Sequence, residues 1–132
     1  MFITDELIRE VWNKGIVDDK YPSDVVRKDA CGAFILFDKY ADRNSIFGWE
    51  IDHIYPVSDL EEARISPELI HDIRNLRPLN WRNNLSKGNN YPFYTAAITA
   101  DDDKATNKEI ETGKVVNESV QQELKELYKL GD

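Results

Sequence analysis

The sequence predicts a single α+β domain. Three observations lead there: helical spacing of apolar residues near both ends, short strand-like apolar runs between residues 32 and 52, and a length of 132 residues that suits one core. The first helix follows Thr4, a good cap, with Leu7, Ile8, Val11 and Trp12 spaced along one face and Gly15 as its stop. A loop through Tyr21-Pro22-Ser23-Asp24 leads to Val25-Val26-Arg27. Gly32-Ala33-Phe34-Ile35-Leu36-Phe37 reads as a buried strand. Phe47 to Asp52 alternates apolar and polar residues and is expected to pair antiparallel with that strand. Ser66-Pro67-Glu68 opens a short helix to His71, with Ser as cap and Pro at its first position. Another helix starts near Asn80. It places Trp81 and Leu85 on one side and Asn80, Asn84 and Lys87 on another. Residues 93–99 form a strand, and the acidic, Lys-rich residues 100–112 read as a mobile loop. Asn117 caps a last helix carrying Val120, Leu124, Leu127 and Tyr128 on one face.

Composition narrows the function classes. The single cysteine excludes an internal disulfide framework and any multi-cysteine zinc site, and Cys31 reads as a small buried side chain. No apolar run approaches the length of a membrane span and no signal-like segment is visible, so the expectation is a soluble, cytoplasmic protein without membrane partners. The net charge of −8 argues against a strong nucleic-acid binder, because phosphate contacts supply much of such affinity. Its distribution weakens the objection. Residues 1–26 carry six acids against three bases and residues 101–132 nine against five, whereas 74–88 carry four bases and no acid. Weak, salt-sensitive binding is what this pattern predicts.

The chemistry concentrates in two segments. Gly48-Trp49-Glu50-Ile51-Asp52-His53-Ile54 ends a strand-like run with a carboxylate beside an imidazole. Asn75-Leu76-Arg77-Pro78-Leu79 continues to Asn83-Asn84-Leu85-Ser86-Lys87-Gly88, a basic, Asn-rich stretch. A carboxylate, an amide and an imidazole suit one hard divalent cation and one general base, and the cations nearby suit a phosphate. Together they point to metal-assisted phosphodiester hydrolysis.

Asp52-His53-Ile54-Tyr55-Pro56 followed by Asn75 through Gly88, with nine residues from Asn75 to Asn84, resembles the HNH endonuclease family in its H-N-N form. The match is specific from Gly48 to Lys87, within a motif core of about 27–90; residues 91–132 add a strand and a helix. The resemblance implies a ββα-metal (His-Me finger) core, flanked here by N- and C-terminal helices. It implies catalytic roles for His53 as the base that activates water, for Asn75 in holding the loop near His53, and for Lys87. It implies a single Mg²⁺ or Mn²⁺ on Asp52 and Asn84. Arg74, Arg77, Arg82 and Lys87 are the candidate contacts to DNA, expected to be double-stranded and read with low sequence specificity. Alternation along a strand points Asp52 away from His53, so the strand is expected to end or bulge there for both to serve one site. Glu50 and His71 read as ion-paired and surface residues.

The chain departs from the family twice. Paired cysteines around the third motif are replaced by Asn80 and Asn83, so packing alone is expected to hold the core. Asp59 to Ile65 and a following helix stand in for a Gly-rich loop and bring three acids close to the site. Two other functions fit less well: a catalytically inactive nucleic-acid- or protein-binding module, and a nuclease for RNA or branched DNA. Oligomeric state and biological setting are open at this stage.

Overall fold

The computed structural model describes residues 1–130. The chain is α+β, with short antiparallel strand pairs and five α-helices among the described residues. The elements are α1 (Asp5–Trp12), β1 (Val26–Lys28), β2 (Phe34–Leu36), β3 (Trp49–His53), α2 (Val57–Glu62) and α3 (Pro67–Ile70). One 3₁₀ turn, Phe37–Lys39, follows β2 and another, Ile73–Asn75, leads into β4 (Leu76–Asn80), followed by α4 (Trp81–Lys87), β5 (Phe93–Asp101), β6 (Thr106–Val115) and α5 (Glu118–Tyr128).

Local chemistry sets the helix starts. The side chains of Thr4, Ser66, Asn80 and Asn117 each accept a backbone N–H of the first turn of α1, α3, α4 and α5. Apolar faces then decide the packing. Val11 and Trp12 of α1 bury against Ile35, Trp49 and Leu76. Leu124 and Tyr128 of α5 close a second cluster with Ile54, Leu60, Ile70, Leu79, Tyr94 and Ala96.

Strand pairing differs from the expectation in one place that matters for the site. β3 pairs antiparallel with β4, in register Trp49↔Asn80 to His53↔Leu76, while β2 pairs with β1. The 47–52 run and the 32–37 run are linked by the bond from Leu36 N to the Phe47 carbonyl, at 3.1 Å, and not by a ladder. Pro78 and Asn80 disguise β4 in the sequence. In a two-stranded sheet each strand is an edge, and an edge tolerates the missing N–H of Pro78. The 57–62 segment, assigned no element from the sequence, forms α2.

Residues 100–112 are a second correction. They belong to a β5–β6 hairpin that turns between Asp101 and Thr106. Most of β6 is exposed, so no apolar alternation marks it in the sequence.

The expectation that packing alone replaces the missing cysteines is also corrected. Asp29 is fully buried and accepts four hydrogen bonds: Cys31 N and Ala33 N on Oδ1, Asn80 N and Asn83 Nδ2 on Oδ2. Asn83, also fully buried, donates to the Ile98 carbonyl and accepts from Ala97 N and Ile98 N. This network ties the β1–β2 turn, α4 and β5 together. Each buried polar group has its partners, which makes the burial tolerable. Burial raises the carboxyl pKa of Asp29, and the hydrogen bonds from Asn83, Asn80, Ala33 and Cys31 oppose that rise.

Candidate active site

Regular alternation fixes what each face of β3 carries. Trp49, Ile51 and His53 lie on one face and Glu50 and Asp52 on the other. The strand ends at His53, but the ladder to β4 runs through that residue without a bulge, so Asp52 and His53 point to opposite sides.

Helix α4 covers the Glu50–Asp52 side. Its Asn84 and Lys87, three residues apart, meet the two acids, two residues apart on the strand. Asn84 Nδ2 donates to Glu50 Oε1 at 3.0 Å. Lys87 Nζ lies 3.3 Å from Asp52 Oδ1 and donates to the His53 carbonyl at 3.2 Å. Gly88 ends α4 at a φ of 52°, and Asn80 caps its start, so the helix is held at both ends beside the strand.

Asp52 is the most enclosed of these acids. Its Oδ2 accepts from Arg77 Nε at 2.8 Å. The side chains of Asp52, Arg77 and Lys87 are 4%, 11% and 1% exposed. This is a buried acid between two cations, an arrangement that is costly to break from either side. Burial lowers the Lys87 pKa, opposed by Asp52 and reinforced by Arg77. Arg77 Cζ lies 5.2 Å from the Tyr94 ring centroid, and its Nη2 is buried without a hydrogen-bond partner among the described residues.

Glu50, half-buried, receives a two-pronged contact from Arg43, at 2.7 and 3.0 Å. Its burial pushes the carboxyl pKa up, but the Arg43 and Asn84 hydrogen bonds outweigh it and the net direction is down.

His53 ends β3 on the other face, half-buried, with Nε2 2.9 Å from Nδ1 of His71 and ring centroids 5.1 Å apart. Burial and the His71 charge, against an opposing Asp52, bring its pKa down to about 4. His71 therefore stands beside the candidate base and is half-buried, where the sequence suggested an unattached surface residue. It follows α3 directly. No local pattern in the sequence signals this meeting across 18 residues.

Asn75, fully buried, bonds the backbone on both sides of the site. Its Oδ1 accepts Tyr55 N at 2.7 Å and its Nδ2 donates to the Tyr55 and Ile70 carbonyls. Ile54 N also donates to the Asn75 carbonyl at 2.8 Å. The chain leaving His53 is thus clamped to the turn that enters β4.

The remaining cations are not free. Arg74 is engaged by Asp72, at 2.8 Å, and Arg82 by Glu109, at 3.2 Å. Both pairs are exposed enough to exchange with solvent ions. Arg77 and Lys87 are committed to Asp52. Glu50 is the member of the strand–helix cluster that motif reading underrated. The i, i+2 spacing to Asp52 is the signal that places it there.

Among the described residues no three His, Cys, Asp or Glu side chains gather in a metal-ligating cluster, and no helix is long and apolar enough to cross a membrane. Compared with models of known protein families, with curated proteins and with solved structures, the chain matches none.

Proposed function

We propose that this protein is a metal-dependent endonuclease hydrolysing phosphodiester bonds in DNA, on the ββα-metal plan that its motif resembles. The supporting observation is the β3–β4–α4 unit. It brings Asp52, Asn84 and Lys87 to one face of β3, with Lys87 reaching the carbonyl of His53, whose ring lies on the other face. In this reading His53 is the general base. With its pKa brought down to about 4, the imidazole is neutral near pH 7 and able to accept a proton from the attacking water. A substrate phosphate beside the ring would raise that pKa toward the range where a base works best.

The side chains facing each other between β3 and α4 fit a hard cation in kind. They offer carboxylate oxygens from Asp52 and Glu50 and the amide oxygen of Asn84, whose NH₂ is turned to Glu50. An all-oxygen set suits Mg²⁺ or Mn²⁺. Asp52 and Asn84 would hold the ion. When bound, it supplies charge neutralisation at the scissile phosphate. Lys87 acts from within: at 3.3 Å its ion pair with Asp52 is longer than that of Arg77, and it anchors the carbonyl of His53. Arg74 and Arg82, exposed and in exchangeable pairs, are the cations left to meet the DNA backbone.

One observation favours a second reading. Both oxygens of Asp52 face cations, as expected of a domain whose polar core serves stability and whose role is binding without hydrolysis. Supercoiled-plasmid nicking at low salt with Mg²⁺, Mn²⁺ or EDTA separates the two. Metal-dependent nicking that disappears in His53→Ala is expected. Equal or absent nicking in both proteins, with no heat of Mg²⁺ or Mn²⁺ binding, would leave the binding module.

A further inference from the structure

The two histidines of this chain form a bonded pair, and the chemistry of that pair selects which nitrogen of His53 is free. We infer that His71 is a positioning residue: it accepts the Nε2–H of His53, fixes that tautomer and ring orientation, and leaves Nδ1 of His53 as the nitrogen that takes the proton from water. The inference rests on the endonuclease reading for its last clause only.

His53 Nε2 and His71 Nδ1 are 2.9 Å apart, so one of them donates and the other accepts. If His53 donates, His53 carries its proton on Nε2 and His71 carries its own on Nε2, with Nδ1 as acceptor. If His71 donates, both rings must carry the proton on Nδ1. Neutral imidazole side chains intrinsically favour the Nε2–H form, so the first arrangement puts both rings in their preferred state and the second puts neither there. The hydrogen bond on one nitrogen then decides the role of the other.

Three features hold His71 where it can do this. Its N–H bonds the Pro67 carbonyl at 3.0 Å as α3 ends. Ser66 caps that helix. Ile70, the residue before it, is buried, and Tyr128 Oη and Asn75 Nδ2 both donate to its carbonyl. Asn75 is the residue whose motif position would suggest it holds His53. Its side chain bonds backbone groups of Tyr55 and Ile70, and it is His71 that meets the imidazole.

The test uses ¹⁵N-labelled full-length protein without metal at pH 7.5, comparing wild type, His71→Asn and His71→Phe. Each variant retains one histidine, so assignment is direct. Asn places a carbonyl oxygen where Nδ1 stood; Phe fills the space without an acceptor. Wild type and His71→Asn should show His53 in a single Nε2–H state by imidazole nitrogen shifts, and His71→Phe an averaged mixture. In nicking assays kcat should fall about 10- to 100-fold in His71→Phe with little change in KM, and recover in His71→Asn. A His53 ring carrying its proton on Nδ1 in wild type, or identical shifts in wild type and His71→Phe, overturns the inference. Tautomer shifts as expected with no nicking by any of the three proteins would support the ring pairing and count against the endonuclease reading instead.

Discussion

At the residue scale, Asp52 carries two roles that mutation separates. Replacing it with Ala leaves Arg77 and Lys87 buried without their counter-charge, which should cost about 3–5 kcal/mol in urea unfolding, with or without Mg²⁺. Loss of activity in that variant therefore says little about ligation. Asn84→Ala removes one half-buried bond to Glu50 and should cost about 1 kcal/mol or less, while abolishing measurable Mg²⁺ or Mn²⁺ binding by calorimetry. Stability of Asn84→Ala well below that range would sink its use as a clean probe. His53 gives a pH signature with a definite sign. Its folded pKa is about 4, depressed from the ordinary 6.5, so the unfolded chain binds the extra proton between those values. The stabilisation is complete above pH 6.5 and is lost as pH falls toward 4. His53→Ala should flatten the slope of stability against pH in that window and leave it unchanged above.

At the element scale, β3 starts where a loop crosses it. A Cβ on Gly48 would lie 1.9 Å from the Asp42 carbonyl oxygen, a backbone atom with nowhere to retreat. Gly48→Ala should lower stability by about 1–3 kcal/mol through overpacking, read as a drop in Tm with the unfolding still cooperative. The same strand shows how much could be read in advance. Alternation over 47–52 located it within two residues of its observed Trp49–His53 span, along with the opposed faces of Asp52 and His53. The caps Thr4, Ser66 and Asn117 marked three helices, because capping is a bond within four residues of chain. The partner of β3 was hidden, since Pro78 and Asn80 speak against a strand and only the edge position excuses them. β6 was hidden because both its faces meet water and hydrophobic period has nothing to report. That Asp52, His53, Asn75, Asn84 and Lys87 would lie on adjoining elements was legible from the two motif segments. Which of them would be buried and paired was not, because that depends on α4 lying against β3 and on His71 arriving from α3.

At the scale of the whole molecule, charge and exposed cations set the terms of any DNA contact. The net charge is −8, and of the four motif cations only Arg74 and Arg82 reach the surface. Non-specific binding should be weak, with log K falling against log salt concentration no more steeply than about −2, as two phosphate contacts allow. A slope several times steeper in fluorescence anisotropy would mean that Arg77 or Lys87 leaves Asp52 on binding.

Asp29 has one more consequence. The turn at Cys31, the start of α4 and the Asn83 that reaches β5 all converge on its two oxygens. The scaffold is therefore closed by hydrogen bonds, whereas the chemistry proposed for it depends on an ion. A chelator should divide the two cleanly: the melting curve of an EDTA-treated sample superimposes on the untreated one while nicking ceases, and adding back Mg²⁺ restores activity without any refolding step.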